Sequence, residues 1–453
     1  MSGIFLFLSY APFWQSWSLW LYMVSLFHRE KHQQTLWTPF ITWLLFHTVQ
    51  YHWLIYPLQE KLNLNVTLGV LFVIIAALIH TALFIALLWI RRHSKWAWRY
   101  PVLSWVIVGI GFEWLKLNVF GGFPWVTVAI SQMDWGFSLL LPILGSWGVC
   151  GFVFAVSGLM IEKPRYAIIA ALCVTLLIGI IPSKPEKSHE QLFRIYQISN
   201  EAQQQHLKYV IDRVDESKNV PNTISVFPEG TISIDQQWLQ AIRENIFSSQ
   251  ANVVLGANLL HDDGVVTNSA VTIDGRYDKQ ELVPFGEGMP FGFGWITQYV
   301  GLTPFISGDK YQPLKLIDQW YNVLICYDIF FPERYLRFGN RPMILLLDDH
   351  WYKNSWVREY HFRQAQVVSL ILGQNLVSSS ADGVSGFIEG GQIHLLDTKV
   401  QGFISKSLKV FDHTNQAWLH WLDTACRLLA ILGIVIYSLD AISGRKRVKT
   451  KQL

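Results

Sequence analysis

Two kinds of hydrophobic patterning divide this chain. Residues 1–182 and 418–442 carry long apolar runs with few charges, whereas residues 190–415 interleave polar and apolar positions as a water-facing domain does. The apolar runs cover residues 36–58, 65–90, 101–120, 136–160, 166–182 and 417–442. Each is near the ~20 residues that carry a helix across a bilayer. The start, GIFLFLSYAPFWQSWSLWLYMVSLF, reads as one kinked span or two short ones, because Pro12 and the polar Gln15-Ser16 interrupt it. No short isolated apolar core with a small-residue cleavage site follows, so no removable signal peptide is expected.

In residues 190–415 the runs FRIYQIS, NTISVFPE, ANVVLGANLL, VVTNSAVTID, NVLICYDIF, PMILLLDD, QNLVSSSA and GGQIHLLDT predict strands. EAQQQHLKYVIDRVDES, DQQWLQAIRENIFS and VREYHFRQAQVVSLIL predict helices. The strands are rich in Val, Ile and Leu, as strands covered on both faces are, so a layered α/β domain is expected. The resulting division is a transmembrane helical domain over 1–182, a globular domain over 190–415 and a C-terminal transmembrane helix over 417–442.

Composition agrees: 51% of residues are hydrophobic and 15% charged, against roughly 25% charged in ordinary soluble domains. Charge also orients the chain. The clusters HREKH (28–32), RRHSKWAWR (91–99), EKPR (162–165) and RKRVKTK (445–451) all fall on one side if the spans alternate. The positive-inside rule makes that side the cytoplasm. The globular domain then faces away from it, with seven or eight spans according to how the start folds. No nucleic-acid partner is expected.

That placement isolates Cys326. The other cysteines, Cys150, Cys173 and Cys426, lie in apolar runs. Outside the cytoplasm thiols tend to be oxidised to disulfides, and Cys326 has no possible partner in its own domain. It is either a buried structural cysteine or a thiol whose chemistry is used. Three segments bear on the choice: VFPEGTIS with Glu229, YDKQELVPFGEGMP with Lys279 and Glu287, and LICYDIFFPE with Cys326. A carboxylate such as Glu229 can take a thiol proton. An ammonium such as Lys279 can stabilise the oxyanion formed on an acyl carbonyl, and Glu287 can orient the lysine or an acceptor amine. Singly, each residue also fits a turn, a solvated strand edge or a loop.

Glu in FPEG, Lys in YDKQELVPFGE and Cys in ICYD, in that order, resemble the Glu-Lys-Cys triad of the nitrilase, or carbon–nitrogen hydrolase, superfamily. The longer match around Lys279 resembles its membrane branch, the apolipoprotein N-acyltransferases. FEWLKLNVFGGFPWVTVAISQ (112–132), PILGSWGV (142–149) and SYAPFWQSW near the start resemble that family's membrane half. The resemblance implies an αββα-sandwich catalytic domain outside the cytoplasm of a bacterial inner membrane. It implies Glu229, Lys279 and Cys326 as catalytic residues, with Glu287, Tyr327 and Asp328 supporting them. It implies a phospholipid acyl donor in the bilayer, a cysteine thioester, and a diacylglyceryl lipoprotein as acceptor. No cofactor or metal is implied, and LLHDDG and DDHWYKNSW read as loop polars. Family members usually carry Glu where Asp328 stands, and the DDHWYKNSW and Asp382-Gly383 stretches also depart from the usual pattern. These departures keep an exported nitrilase-type amidase or divergent acyltransferase, tied to a conjugative-transfer apparatus, as an alternative.

The stretch FGEGMPFGFGWITQYVGL, residues 285–302, is rich in Gly and aromatic residues. It reads either as a packed loop covering the core or, as expected here, as an apolar lip giving lipid access, with Phe291, Phe293 and Trp295 as interfacial anchors. Phe123 and Trp125 are the next candidates for that role.

Overall fold

The protein is described by a computed structural model over residues 2–62, 64–180, 188–198, 206–218, 220, 222–245, 252–289, 305–336, 341–353, 355–395, 402–411 and 417–449. Two compact units emerge. One comprises residues 1–55, 65–183 and 418–453; the other comprises 56–64 and 184–417.

The first unit is a multi-pass helical membrane domain. It contains α1 (Gly3–Leu8), α2 (Ser16–Lys31), α3 (Trp37–Gln50), α4 (Ile55–Leu62), α5 (Val66–His93), α6 (Lys95–Arg99), α7 (Pro101–Asn118), α8 (Val128–Ser131), α9 (Leu141–Glu162) and α10 (Pro164–Ile180), with the helix Ala417–Lys449 at the C-terminus. Only the first residue of α4 belongs to this unit. Among the described residues, four segments are helical, long and apolar enough to cross a membrane: Val66–His93, Pro101–Gly121, Phe137–Glu162 and Trp418–Ser443. The start divides into two helices, with Pro12 and Gln15 between them. The apolar run 36–58 is not one helix. It breaks at Tyr51, passes through a 3-10 turn at His52–Leu54 and resumes as α4. Pro57 explains the break, since it cannot donate to the carbonyl of Trp53 and its ring collides there. In a helix that restarts at Ile55 it falls in the first turn, where no N–H partner is needed.

The second unit is an α/β sandwich built as helix, sheet, sheet, helix. The strands are β1 (Ser188–Gln197), β2 (Thr223–Val226), β3 (Ile232–Asp235), β4 (Asn252–Leu260), β5 (Val266–Val271), β6 (Arg276–Asp278), β7 (Leu314–Leu316), β8 (Gln319–Ile325), β9 (Met343–Asp348), β10 (Leu376–Ala381), β11 (Gly386–Glu389), β12 (Gln392–Leu395) and β13 (Gly402–Phe411). The first sheet runs β13-β1-β2-β4-β5-β6, with β3 also on β4; the second runs β12-β11-β10-β9-β8-β7. At the centre of each sheet the strands are parallel: β1, β2 and β4 in one, β8, β9 and β10 in the other. The two sheets meet through apolar faces. The ring of Phe193 on β1 meets Tyr321 on β8 edge-on at 5.9 Å, and Ser379 Oγ on β10 donates to the Tyr196 carbonyl at 2.7 Å.

Helices cover both outer faces. Val210 and Val214 of the helix His206–Lys218 join Tyr196, Phe227, Val253 and Leu255 in one core cluster. Val367, Val368, Ile371 and Leu372 bury the helix Val357–Leu372 beside the second sheet. The segment 56–64 is tied to this unit by Lys353 Nζ, 2.7 Å from Glu60 Oε1.

One close approach sets the position of Glu229. A Cβ added at Gly256 on β4 would lie 2.0 Å from the Pro228 carbonyl oxygen and 2.7 Å from the Glu229 Cα. Only glycine lets β4 run under the loop that presents this carboxylate. Gly256→Ala is expected to destabilise the second unit by about 1–3 kcal/mol, the usual range for overpacking. A lowered thermal unfolding midpoint checks it; an unchanged midpoint would mean that the loop yields without cost.

Candidate active site

Glu229 follows β2. The pairing of β2 with β4 continues one residue further, as Phe227 N–H donates to the Val254 carbonyl at 2.9 Å. Thr231 Oγ1 then closes the turn on the Pro228 carbonyl at 2.7 Å. Lys279 follows β6 and is held by its backbone: its N–H donates to the Asn268 carbonyl, and its carbonyl accepts from Gly308 N–H, each at 2.8 Å. Beyond it, residues Val283–Gly288 form a tight turn. There Glu287 N–H donates to the Val283 carbonyl at 2.9 Å, while Glu287 Oε2 accepts from Val283 N–H at 2.9 Å.

These elements bring three charges together. Lys279 Nζ lies 3.2 Å from Glu229 Oε1 and 2.8 Å from Glu287 Oε1. Asn268 Nδ2 donates to Glu229 Oε1 at 2.6 Å. Glu229 Oε2 has no hydrogen-bond partner among the described residues. All three charged side chains are buried.

Cys326 follows β8 and opens the 3-10 turn Cys326–Phe330. Its φ of 48° is a left-handed conformation, sparsely populated by side chains larger than glycine and frequent where a reactive group is held out of a strand. Asp328 holds the turn. It accepts from Ile325 N–H at 3.2 Å, Tyr277 Oη at 2.8 Å, Gln280 N–H at 3.2 Å and Glu281 N–H at 2.8 Å. One buried carboxylate therefore ties the residues after Lys279 to the residues around Cys326. Tyr327 is buried, with its ring 5.2 Å from that of Phe331.

Burial and the nearby Glu229 push the Cys326 thiol well up, against the pull of Lys279. Burial also raises the Glu229 carboxyl, again against Lys279. For Lys279, burial disfavours the ammonium, but Glu229 and Glu287 outweigh it and hold the proton well above the ordinary lysine range. At neutral pH the lysine is therefore charged and the sulfur is S–H.

The structure also assembles side chains that sequence reasoning passed over. Asp349, just past β9, and His361, on the helix Val357–Leu372, are fully buried, with His361 Nδ1 2.8 Å from Asp349 Oδ1. His361 Nε2 lies 4.0 Å from Cys326 Sγ. The aspartate at a strand end was a visible signal; a single histidine inside a helix was not. Among the described residues no group of three His, Cys, Asp or Glu is placed to hold a metal.

The lip residues Phe291, Phe293 and Trp295 lie outside the described residues. Phe123 and Trp125 are in the membrane unit, on the loop after α7. Trp125 is buried, 4.8 Å from the ring of Trp53, and the Phe123 ring lies 5.1 Å from that of Tyr51. A buried ion pair holds this loop. Lys116 Nζ lies 3.0 Å from Glu113 Oε2 and donates to the Val126 carbonyl at 3.2 Å, while Val128 N–H donates to Glu113 Oε1 at 3.1 Å.

Residues 2–159 match the family model described as the apolipoprotein N-acyltransferase N-terminal domain. The apolipoprotein N-acyltransferase of Nitrosomonas europaea is 26% identical over 448 residues, spanning 87% of this chain and 86% of its own length. The chain is similar to the apolipoprotein N-acyltransferases. That of Pasteurella multocida is 24% identical over 443 residues, spanning 86% of this chain and 84% of its own. Among solved structures, the carbon–nitrogen hydrolase from Helicobacter pylori G27 aligns at 15% identity and a TM-score of 0.37, covering 52% of this chain and 93% of that one.

Replacing Lys279 by Met leaves Glu229 and Glu287 as two buried carboxylates without their cation. A loss of about 3–5 kcal/mol is expected at neutral pH, as for other buried pairs deprived of one partner. The sign with pH follows: both carboxyls would then bind protons more tightly folded than unfolded, so the loss shrinks as pH falls and one of them is protonated. A loss independent of pH, in denaturant titrations, would mean that the cluster is not charged as drawn.

Proposed function

We propose that the protein is an acyltransferase of a bacterial cytoplasmic membrane, with its α/β unit on the outer side. It moves an acyl chain from a phospholipid onto Cys326 and from there to the N-terminal amine of a diacylglyceryl-cysteine lipoprotein. The observation that carries the reading is the buried Glu229–Lys279–Glu287 cluster bearing on one thiol, in a chain whose relatives are named for this activity. That shared name favours a lipoprotein acceptor over the amidase alternative.

In this reading the Cys326 sulfur attacks the ester carbonyl and the Lys279 ammonium stabilises the oxyanion. Glu229, with Oε2 unpartnered among the described residues, takes the Cys326 proton and passes it to the leaving oxygen; in the second half it takes a proton from the incoming amine and returns it to the sulfur. Tyr327 and Asp328 support the turn that presents the sulfur. The thioester divides the transfer into two halves, giving ping-pong kinetics.

A phospholipid with a labelled acyl chain tests the first half. Label is expected on Cys326, released by hydroxylamine and absent from Cys326→Ser. Label on another residue overturns the assignment. Adding a diacylglyceryl peptide should move the label to its amine, and retention on Cys326 would argue against that acceptor.

Phe291, Phe293 and Trp295 are proposed as the lipid-access residues on their sequence alone. Replacing all three by serine is expected to slow phospholipid turnover strongly while Cys326 stays open to a small water-soluble thiol reagent. Wild-type turnover would move the access route to another segment, with Phe123 and Trp125 next to be tested.

A further inference from the structure

Three buried oxygens around the Glu229 loop have no donor among the described residues: Glu229 Oε2, Asn268 Oδ1 and Asn258 Oδ1. Asn258 on β4 and Asn268 on β5 stand directly opposite one another in the antiparallel pair, so both side chains leave the sheet on one face. That face is turned to the second sheet. The alternate residues Val253, Leu255, Ala257 and Leu259 of β4 join the cluster that packs on the outer helix. Asn258 and its partner therefore point inward.

Both asparagines reach the loop that carries Glu229. Asn268 Nδ2 donates to Glu229 Oε1 at 2.6 Å. A carboxylate oxygen accepts only from the NH2 end of an amide, so this bond fixes how the amide is turned and directs its carbonyl oxygen away from Oε1. Asn258 lies beneath the next residue of the loop: a Cβ at Gly230 would be 3.3 Å from Asn258 Nδ2.

The plain alternative is a pair of asparagines kept to fasten β4 to β5. Such a pair closes on itself, amide to carbonyl. Here neither side-chain oxygen accepts from the other. Buried acceptors are costly to leave unmade, and two of them beside one carboxylate suit a donor that arrives with the substrate. Charge specifies that donor. Lys279 is one cation between the carboxylates of Glu229 and Glu287, so with both ionised the cluster is one positive charge short. A primary ammonium brings that charge and three N–H donors, one for each oxygen. Water brings two donors and no charge.

We propose that Asn258 and Asn268, with Glu229 Oε2, form the subsite that receives the primary amine of the acyl acceptor and favours it over water. This rests on the reading of Cys326 as the acylated nucleophile. The amine docks as an ammonium and releases one proton to solvent. Its lone pair forms the C–N bond to the thioester carbon as the C–S bond breaks. Glu229 takes a second proton from the nitrogen and returns it to the sulfur, leaving amide, thiol and carboxylate. The asparagine oxygens hold the nitrogen beside Glu229 while this happens.

The test isolates the second half. Cys326 in the full-length protein is acylated with a labelled short-chain aryl ester, which needs no phospholipid, and excess ester is removed. The acyl-enzyme is chased with rising concentrations of ethylamine or of a diacylglyceryl peptide with a free N-terminus. Label is counted as amide and as released acid, per acyl-enzyme present. In Asn258→Leu the KM for either amine is expected to rise about 10–100-fold, the range for one hydrogen bond to a charged group, with label diverted to acid. Asn258→Asp keeps an acceptor at that point and is expected to retain the preference for amine. Wild-type KM and amide-to-acid ratio in Asn258→Leu overturn the proposal. Equal losses in Asn258→Leu and Asn258→Asp make the residue structural and overturn it too. If Asn258→Leu does not fold, Asn258→Ala decides by the same two readings. Transfer by the wild type to ethylamine but not to the peptide rejects the lipoprotein acceptor and leaves the subsite standing, whereas acid alone with both amines overturns the subsite. If the wild type takes no label on Cys326, the nucleophile reading fails instead. The subsite is then judged by binding of the peptide to unmodified protein, which Asn258→Leu must weaken.

Discussion

The ammonium of Lys279, buried between the carboxylates of Glu229 and Glu287, is the interaction on which the rest of the site depends. Removing such ions from water costs several kcal/mol each, and the attraction between them offsets this only in good geometry. The structure supplies that geometry with backbone rather than with long side chains. Lys279 is pinned through its own N–H and carbonyl, Glu287 is locked to its own turn, and Gly256 lets β4 approach the Glu229 loop. With both carboxylates ionised, the cluster carries one negative charge more than positive. A thiol placed against it stays protonated.

The sandwich makes this possible. Glu229 follows β2 in one sheet, while Cys326 and Asp349 follow β8 and β9 in the other. All three are at the carboxyl ends of strands with a parallel neighbour, where chain leaves a sheet and side chains can converge. Asp328 joins the halves by accepting hydrogen bonds from both the Lys279 segment and the Cys326 turn. Its side chain satisfies four donors at normal distances.

In the membrane unit the same device recurs. Glu113 and Lys116 pair one turn apart on α7, and each also satisfies a backbone group of the loop that follows. Irregular backbone is tolerated at membrane depth only where its polar groups are met by protein or water. The pair meets the Val126 carbonyl and the Val128 N–H, just past the Gly-Gly-Phe-Pro-Trp segment.

Much of this molecule was determined by sequence alone. The apolar runs, the alternation of strands and helices in residues 190–415, and the polar residues at strand ends are local properties. Backbone periodicity and bilayer thickness impose them within a few residues, so they can be read in order along the chain. Glu229 and Cys326 stood out in the same way, as reactive residues at the ends of predicted strands, while Lys279 and Glu287 stood out through resemblance to a known family. What only tertiary structure decided is which groups touch. It showed that Lys279 is shared by two carboxylates, that Asp328 bridges two segments, and that a helix histidine with its aspartate faces the sulfur. Such contacts join residues distant in sequence through the packing of two sheets, and no period along the chain records that packing.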